Sequence, residues 1–240
     1  MPAPPFTLLA RVYDAIMDDI DYDAWGAFIL EQARARGWRG GLALDLGCGT
    51  GNSTAPLHVR GVEVVGLDAS AAMLAVARAK LPSVRFVEGD FRDFALPQRF
   101  SLAYSVFDAL NNLLDLGAFS QMASRVRAQL EPGGFFIFDA NTTAGLRELW
   151  EAGRVEGFAG EVYYRWEHSF DEASGLAKVE AYCEDGQRAF TEVHYERPYD
   201  PPLLRRLLGE AGFASVEVIG YPEGAPADEG APRVWVVARA

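Results

Sequence analysis

The hydrophobic and polar positions change rhythm along the chain, and each rhythm predicts a different kind of element. Phe6–Met17 and Asp23–Arg36 read as two helices joined by Asp18–Tyr22. From Leu42 onward, apolar runs alternate with helical stretches. The runs Leu42–Leu46, Val62–Leu67, Val84–Val87, Arg99–Val106 and Phe135–Asp139 read as strands. Between them lie the helices Ser53–Arg60, Ala71–Lys80 and Leu116–Leu130, with Pro56 tolerable in a first turn. Such alternation is the pattern of a parallel sheet with helices on both faces.

Between Thr142 and Asp200 the period shortens. Glu161–Asp171, Leu176–Glu184 and Gln187–Arg197 are polar and aromatic alternations separated by the turns Ala173-Ser174-Gly175 and Asp185-Gly186. Three antiparallel strands are expected there, inserted between sheet strands five and six. Asp200 is placed to cap a helix that begins Pro201-Pro202, runs to about Ala211 and stops at Gly212. Ser215–Tyr221 and Arg233–Ala238 then make a hairpin around the loop Pro222–Pro232, a candidate for mobility.

The chemical signal is concentrated in Leu42–Ser53, L-A-L-D-L-G-C-G-T-G-N-S. Gly47, Gly49 and Gly51 let the backbone turn sharply and approach a ligand closely. A pyrophosphate-binding fingerprint would want a third glycine where Asn52 stands, and Asp45, inside the strand, would repel a pyrophosphate. A carboxylate there suits a nucleoside ligand with a cationic end, such as the ammonium of S-adenosylmethionine (SAM). A glycine turn with no ligand is the bland alternative. At this point the sequence resembles the class I SAM-dependent methyltransferases, whose first motif is this D-x-G-x-G-x-G pattern.

The resemblance extends over Leu42–Gly134, where Leu130–Gly134 matches the family's L-x-P-G-G turn, and to the final hairpin. It implies an α/β, Rossmann-like fold: a seven-stranded, mostly parallel sheet with helices on both faces, an antiparallel last strand and a small antiparallel β insert. The expected division is a helical cover over 1–38, a SAM-binding domain over 39–141 and 198–240, and an insert over 142–197. In small-molecule methyltransferases such an insert forms a substrate wall or lid. The alternative is that its strands pair two copies into a homodimer.

Two further acids fall where a nucleoside binder needs them. Asp68 ends the second strand about twenty residues beyond the glycine turn, the place for a carboxylate on the ribose hydroxyls; Ala69 follows it. Its bland reading is a helix N-cap, for which Ser70 competes. The third strand runs into Glu88-Gly89-Asp90-Phe91. In the resembled family the acid of this pair accepts from the adenine amino group and the next residue flanks the ring, although Gly-Asp alone is merely a turn. Met73 is placed to press on the adenine, or else to fill core. Cofactor contacts are therefore expected from Asp45, Gly47, Cys48, Gly49, Asn52, Asp68, Ala69, Met73, Asp90 and Phe91.

Phe107, Asp108, Asn111 and Asn112 follow strand four, where the family faces the methyl group. The prolines of an N-P-P-Y or D-P-P-Y motif are absent, which argues against amino methylation of bases by that route. Asn141 is similarly placed after strand five. In relatives that methylate small amines or sugars, N-terminal helices cover the cofactor. Tyr13, Tyr22 and Trp25 would then lie near the sulfonium, where cation–π attraction is worth roughly 0.5 to 2 kcal/mol. The bland view is that they pack the helices onto the sheet.

In-line methyl displacement needs alignment and exclusion of water more than a potent base. An amine has only to arrive unprotonated, whereas a hydroxyl needs a base in hydrogen-bond reach. His194 and Tyr13 are the catalytic candidates, and Arg197, Asn111, Asn141 and His168 the substrate-side ones. A strand histidine is equally often a structural residue. N- and O-transfer both stay open, with S-adenosylhomocysteine as the product.

Composition narrows the partners. A chain of 240 residues, half of them hydrophobic, can bury one substantial core plus an insert. A net charge of -12 repels phosphate backbones, so nucleic acid is not an expected substrate. Two cysteines give neither a disulfide framework nor metal-ligand spacing. No signal pattern and no membrane-length apolar run is present, so a cytoplasmic enzyme acting on a small-molecule acceptor is expected. The competing hypotheses are a non-catalytic SAM-binding sensor or partner subunit and an NAD-dependent oxidoreductase, the latter disfavoured by Asp45 and Asn52.

Overall fold

The computed structural model describes residues 5–151, 153–227 and 230–240; Met1–Pro4 of the expected N-terminus and Asp228 and Glu229 of the expected final loop lie outside the described residues. In chain order the elements are α1 (Tyr13–Ile16), α2 (Tyr22–Ala35), β1 (Ala43–Leu46), α3 (Thr54–Val59), β2 (Val64–Asp68), α4 (Ala71–Lys80), β3 (Arg85–Glu88) and β4 (Phe100–Ser105). They continue with α5 (Leu116–Gln129), β5 (Leu130–Asn141), α6 (Thr143–Glu151), β6 (Arg154–Ala159), β7 (Val162–Asp171), β8 (Leu176–Glu184), β9 (Ala189–Glu196), α7 (Pro201–Glu210), β10 (Ser215–Gly220) and β11 (Arg233–Arg239).

Seven strands form one sheet in the order β10-β11-β5-β4-β1-β2-β3. The pairs β1–β2, β2–β3, β1–β4 and β4–β5 are parallel, and β11 runs antiparallel to both β5 and β10. Strands β1 and β5 are buried on both faces because helices cover both. On one side Phe119, Met122 and Val126 of α5 and Leu204, Leu207 and Leu208 of α7 pack against Leu44, Leu46, Phe136 and Phe138. On the other, Ile29, Leu30 and Ala33 of α2 and Leu57 of α3 meet Ala43, Leu102, Tyr104 and Trp235. The Pro132-Gly133-Gly134 turn is absorbed into β5 as a bulge: the register with β4 shifts between Phe100 and Leu102, and Gly133 takes a φ of 78°.

The insert departs from expectation in number. It is a four-stranded antiparallel sheet, β6-β7-β8-β9, preceded by α6, where three strands were expected. β6 is short and largely exposed, with Phe158 at 75% exposure and Gly157 in its centre, so no buried alternation marks it. Asp200 stands at the N-cap of α7 as expected, but its side chain makes no capping bond there; its carboxylate instead accepts from the backbone N–H and hydroxyl of Thr143, at the start of α6.

The N-terminal segment also differs. In place of one helix over Phe6–Met17 there is a 3-10 turn at Leu9–Arg11 followed by the single turn of α1. The reason is the Glu192 carboxylate of β9, which accepts from the backbone N–H groups of Phe6, Thr7, Leu8 and Leu9 at 2.5–3.2 Å. Donors bound to one carboxylate fix a local backbone path that a continuous helix would not follow.

Candidate active site

The chain leaves β1 toward β2 and leaves β4 toward β5, so a crevice opens beyond the carboxyl ends of β1 and β4, the ligand site of open α/β sheets. Immediately after β1, Gly47, Gly49 and Gly51 all have positive φ. Their surroundings differ. A Cβ on Gly47 would meet Ala109 at 3.1 Å, and one on Gly51 would meet Leu81 at 3.3 Å, whereas one on Gly49 would have nothing within 4 Å. Gly49 therefore borders open space, where a ligand can lie against bare backbone.

Three acids sit in or just beyond β1, β2 and β3, each in a different state. Asp45 is fully buried; its Oδ2 accepts from the Ser53 and Thr54 hydroxyls at 2.7 and 2.6 Å, and its Oδ1 has no hydrogen-bond partner among the described residues. Burial pushes its pKa up to about 6, against the pull of those hydroxyls. Asp68 accepts from the Gly49 N–H with one oxygen and the Ser70 N–H with the other, both at 2.8 Å, which leaves lone pairs on each for further donors. Burial raises its pKa too. Ser70 takes the N-cap of α4, accepting from Met73, so Asp68 is free of that duty. Asp90 is engaged by Arg92 through both oxygens, an exposed pair of small energetic worth.

Beyond β4 the backbone is strained. Phe107 and Asp108, two and three residues after β4, have φ of 60° and 48°, a left-handed pair of non-glycine residues. Asp108 accepts from Arg233 at 2.9 Å, and Arg233 also donates to Asp139 at 2.7 Å. The Arg233 guanidinium lies over three rings, Trp25, Phe107 and Tyr221, at 5.3, 5.7 and 5.0 Å. Burial works against its charge, but Asp139 and Asp108 hold it firmly protonated. Glu196, at the end of β9, faces Asp108 within hydrogen-bond reach, and Asn141 donates to it at 3.4 Å. Burial raises the pKa of Asp108, with Arg233 opposing and Asp139 adding. Burial and then Asp108 raise that of Glu196 well above the usual carboxylate range.

Residues 43–134, from β1 into β5, match the methyltransferase domain family. A solved SAM-dependent methyltransferase from Clostridium acetobutylicum ATCC 824 has the same fold, with a TM-score of 0.85 at 26% identity and 97% of each chain covered. This chain is a SAM-dependent methyltransferase. The methyltransferase is also 28% identical to the dTDP-3-amino-3,4,6-trideoxy-alpha-D-glucopyranose N,N-dimethyltransferase of Streptomyces venezuelae, over 88% of this chain and 89% of that protein. To the dTDP-3-amino-3,6-dideoxy-alpha-D-glucopyranose N,N-dimethyltransferase of Streptomyces fradiae it is 29% identical, over 92% of this chain and 88% of that protein.

The crevice of the methyltransferase fits SAM on its own terms. The unpartnered Asp45 Oδ1 suits an ammonium, the spare lone pairs of Asp68 suit two ribose hydroxyls, and the bare backbone at Gly49 leaves room beside them. Phe91, half-buried, has its ring edge 3.8 Å from where a Gly47 Cβ would stand. Met73 is buried in the first turn of α4, and Ala69 is exposed between Asp68 and Ser70. When bound, SAM supplies an electrophilic methyl on a sulfonium; the chain's residues hold it, orient it and exclude water.

Several expected contacts have other duties in the methyltransferase. The Cys48 thiol points into a core of Leu74, Ala77 and Phe86, so only its backbone borders the crevice. Asn52 is spent on Asp14 and Lys80. Trp25 holds Arg233, and its indole N–H donates to the Tyr221 hydroxyl at 2.9 Å; the cation over this aromatic cluster is an internal guanidinium where a sulfonium was expected. Asn111 is fully buried, donating to the carbonyls of Asn141 and Arg197 and accepting from the Asn141 N–H, which leaves nothing for a substrate. Arg197 donates to the Leu114 carbonyl at 2.6 Å and so ties β9 to the segment after β4.

His194 does not stand open to an acceptor. It is 5% exposed, its ring packs against Phe6 with centroids 4.5 Å apart, and Nε2 is 3.4 Å from Glu192. Burial lowers its pKa, with Glu192 opposing, and its place is under the N-terminal segment. His168 lies on β7, two strands from His194 across Val179. Tyr13 does join Tyr22 beside Asp108, and burial, then Tyr22, raises its pKa well above that of a free phenol. Asn141 keeps its buried Oδ1 unpartnered.

Sequence reasoning missed Asp14, Glu192, Glu196 and Arg233 as site residues. Asp14 clamps the cover to the glycine turn, accepting from Thr50 at 2.6 Å and Asn52 at 3.1 Å and pairing with Lys80 at 2.6 Å. Glu196 sits two residues beyond His194 in the same alternation, so the face was legible although the residue was not.

Proposed function

We propose that this methyltransferase transfers the methyl group to the nitrogen of a small, polar amine, of the amino-sugar class. The carrying observation is a charge imbalance at the acceptor end of the crevice. Asp108, Asp139 and Glu196 are gathered around one guanidinium, Arg233, with no second cation among the described residues that contact these four. Acids in excess attract an ammonium-bearing acceptor and disfavour a phosphate or carboxylate at the reacting end. The unpartnered oxygens of Asn141 and Asp139 add acceptors for its N–H and O–H groups. Likeness to two amino-sugar N,N-dimethyltransferases along nearly the whole chain supports the same reading.

The N-terminal 1–38 segment acts as the cover and the 142–197 insert as the acceptor wall. Their meeting line runs through Glu192, which holds Phe6–Leu9, and through the contacts of Tyr13 and Val12 with the insert. Nucleophile, methyl and sulfur are brought into line by this enclosure, which supplies most of the rate. The test is a screen with methyl-labelled SAM against amino sugars, simple amines and their hydroxyl counterparts. Label in amines and none in the hydroxyl series supports the reading; label only on oxygen overturns it, as does SAM binding with no acceptor modified.

A further inference from the structure

We infer that Glu196 is the proton acceptor for the incoming amine, and that Arg233 positions the charge that makes it one. The inference rests on the N-methylation reading and names its proton-handling residues. Asp108 Oδ1 is fixed by Arg233 and its backbone N–H by Asp139, so Asp108 stays the anionic member of the pair. Glu196 has no guanidinium of its own. It meets the carboxyl of Asp108, the Nδ2 of Asn141 and, at greater range, Arg233. Two carboxyls this close hold one proton between them, and Arg233 leaves that proton on Glu196.

A second, independent feature points to a ligand here. Asn141 is 2% exposed, its Nδ2 is turned to Glu196, and its Oδ1 meets no donor among the described residues. An acceptor N–H is a donor of the right kind. The groups facing the pair from each side are Tyr13 of α1, Tyr22 of α2, Asp139 of β5, and Tyr221 and Arg233 from the last hairpin. Asp139 and Arg233 largely cancel, and the three phenols are neutral, so the balance of charge left for the acceptor belongs to Asp108 and Glu196.

The proton balance is simple. An ammonium docking beside Asp108 adds a positive charge, and Glu196 releases its proton to solvent. One N–H bond of the ammonium then breaks as an O–H bond forms on Glu196, which leaves the nitrogen lone pair free for methyl transfer. One proton is released per ammonium methylated, and Glu196 ends as it began.

Two measurements test this. Carbon-13 carboxyl NMR on the native protein, assigned with Glu196→Gln, is expected to find a glutamate that titrates well above the exposed glutamates and vanishes in the variant. Titration of Glu196 among the exposed glutamates overturns the inference whatever the acceptor proves to be. On an amine acceptor, Glu196→Gln is expected to keep its SAM affinity and lose kcat by about 10²- to 10⁴-fold near neutral pH. That loss should recover as pH approaches the amine's own pKa. Arg233→Lys should shift the pH profile of kcat while a simple packing defect would lower activity evenly. Full activity of Glu196→Gln on a methylated amine overturns the inference and leaves N-methylation standing; failure of every amine with the native protein overturns N-methylation, and the NMR titration still locates the proton.

Discussion

Replacing Asp68 by Ala perturbs the crevice at its best-defined point. Each carboxylate oxygen holds one backbone donor, Gly49 N–H or Ser70 N–H, at 2.8 Å, and keeps capacity for one ribose hydroxyl. Net hydrogen bonds to a charged group are worth about 1.5–3 kcal/mol, and water partly replaces lost partners at this half-buried site. The expected loss of SAM affinity is therefore about 1.5–3 kcal/mol, a rise in Kd of roughly ten- to a hundredfold. Calorimetric titration with SAM and S-adenosylhomocysteine reads it, with a melting curve as the control for the freed Gly49 and Ser70 N–H groups. Both nucleosides should weaken alike, because the ribose is common to them. Unchanged affinity in a folded variant removes Asp68 from the ribose site and refutes the reasoning.

Other outcomes follow from single residues. Because burial holds the Asp45 pKa up to about 6, its carboxylate forms only above that pH, and SAM affinity should fall as pH drops through 6 in the native protein but not in Asp45→Asn; a flat native profile contradicts the ammonium role. For the ligand-free protein the sign is opposite: the unfolded Asp ionises near 3.9, so this group's stabilisation is full below about pH 4 and about 3 kcal/mol is lost as pH rises through 6. Asn111→Ala strands the Asn141 N–H and two carbonyls, and should cost about 2–3 kcal/mol in denaturant melts; no change would show that water fills the gap. Glu192→Gln should speed amide exchange at Phe6–Leu9 with little effect on the parallel sheet, and unaltered exchange would show that the N-terminal segment is held by its apolar contacts.

The parallel sheet was legible because burial on both faces writes its strands as apolar runs, as in Leu42–Leu46 and Phe135–Asp139. The candidate cofactor half was legible for a related reason: Gly49, Asp45 and Asp68 sit on the glycine turn and at strand ends, where sequence spacing reports position. The acceptor half was not. Arg233 and Glu196 come from β11 and β9 and meet Asp108 only after the chain has crossed the sheet, at separations of 125 and 88 residues, for which no local pattern exists. His194 and Asn111 looked chemical by residue type, yet burial beside Phe6 and a closed set of backbone bonds give both of them structural work. The Phe6–Leu9 path was hidden for the same reason as Arg233, since its partner Glu192 lies more than 180 residues away.

The most direct test of the account is a matched pair of acceptors, an amino sugar and the same sugar with hydroxyl in place of amine, incubated with methyl-labelled SAM and the native protein. The charge imbalance around Asp108 and Glu196 predicts label on the nitrogen of the first and none on the second. Label on oxygen, or equal labelling of both, would contradict it.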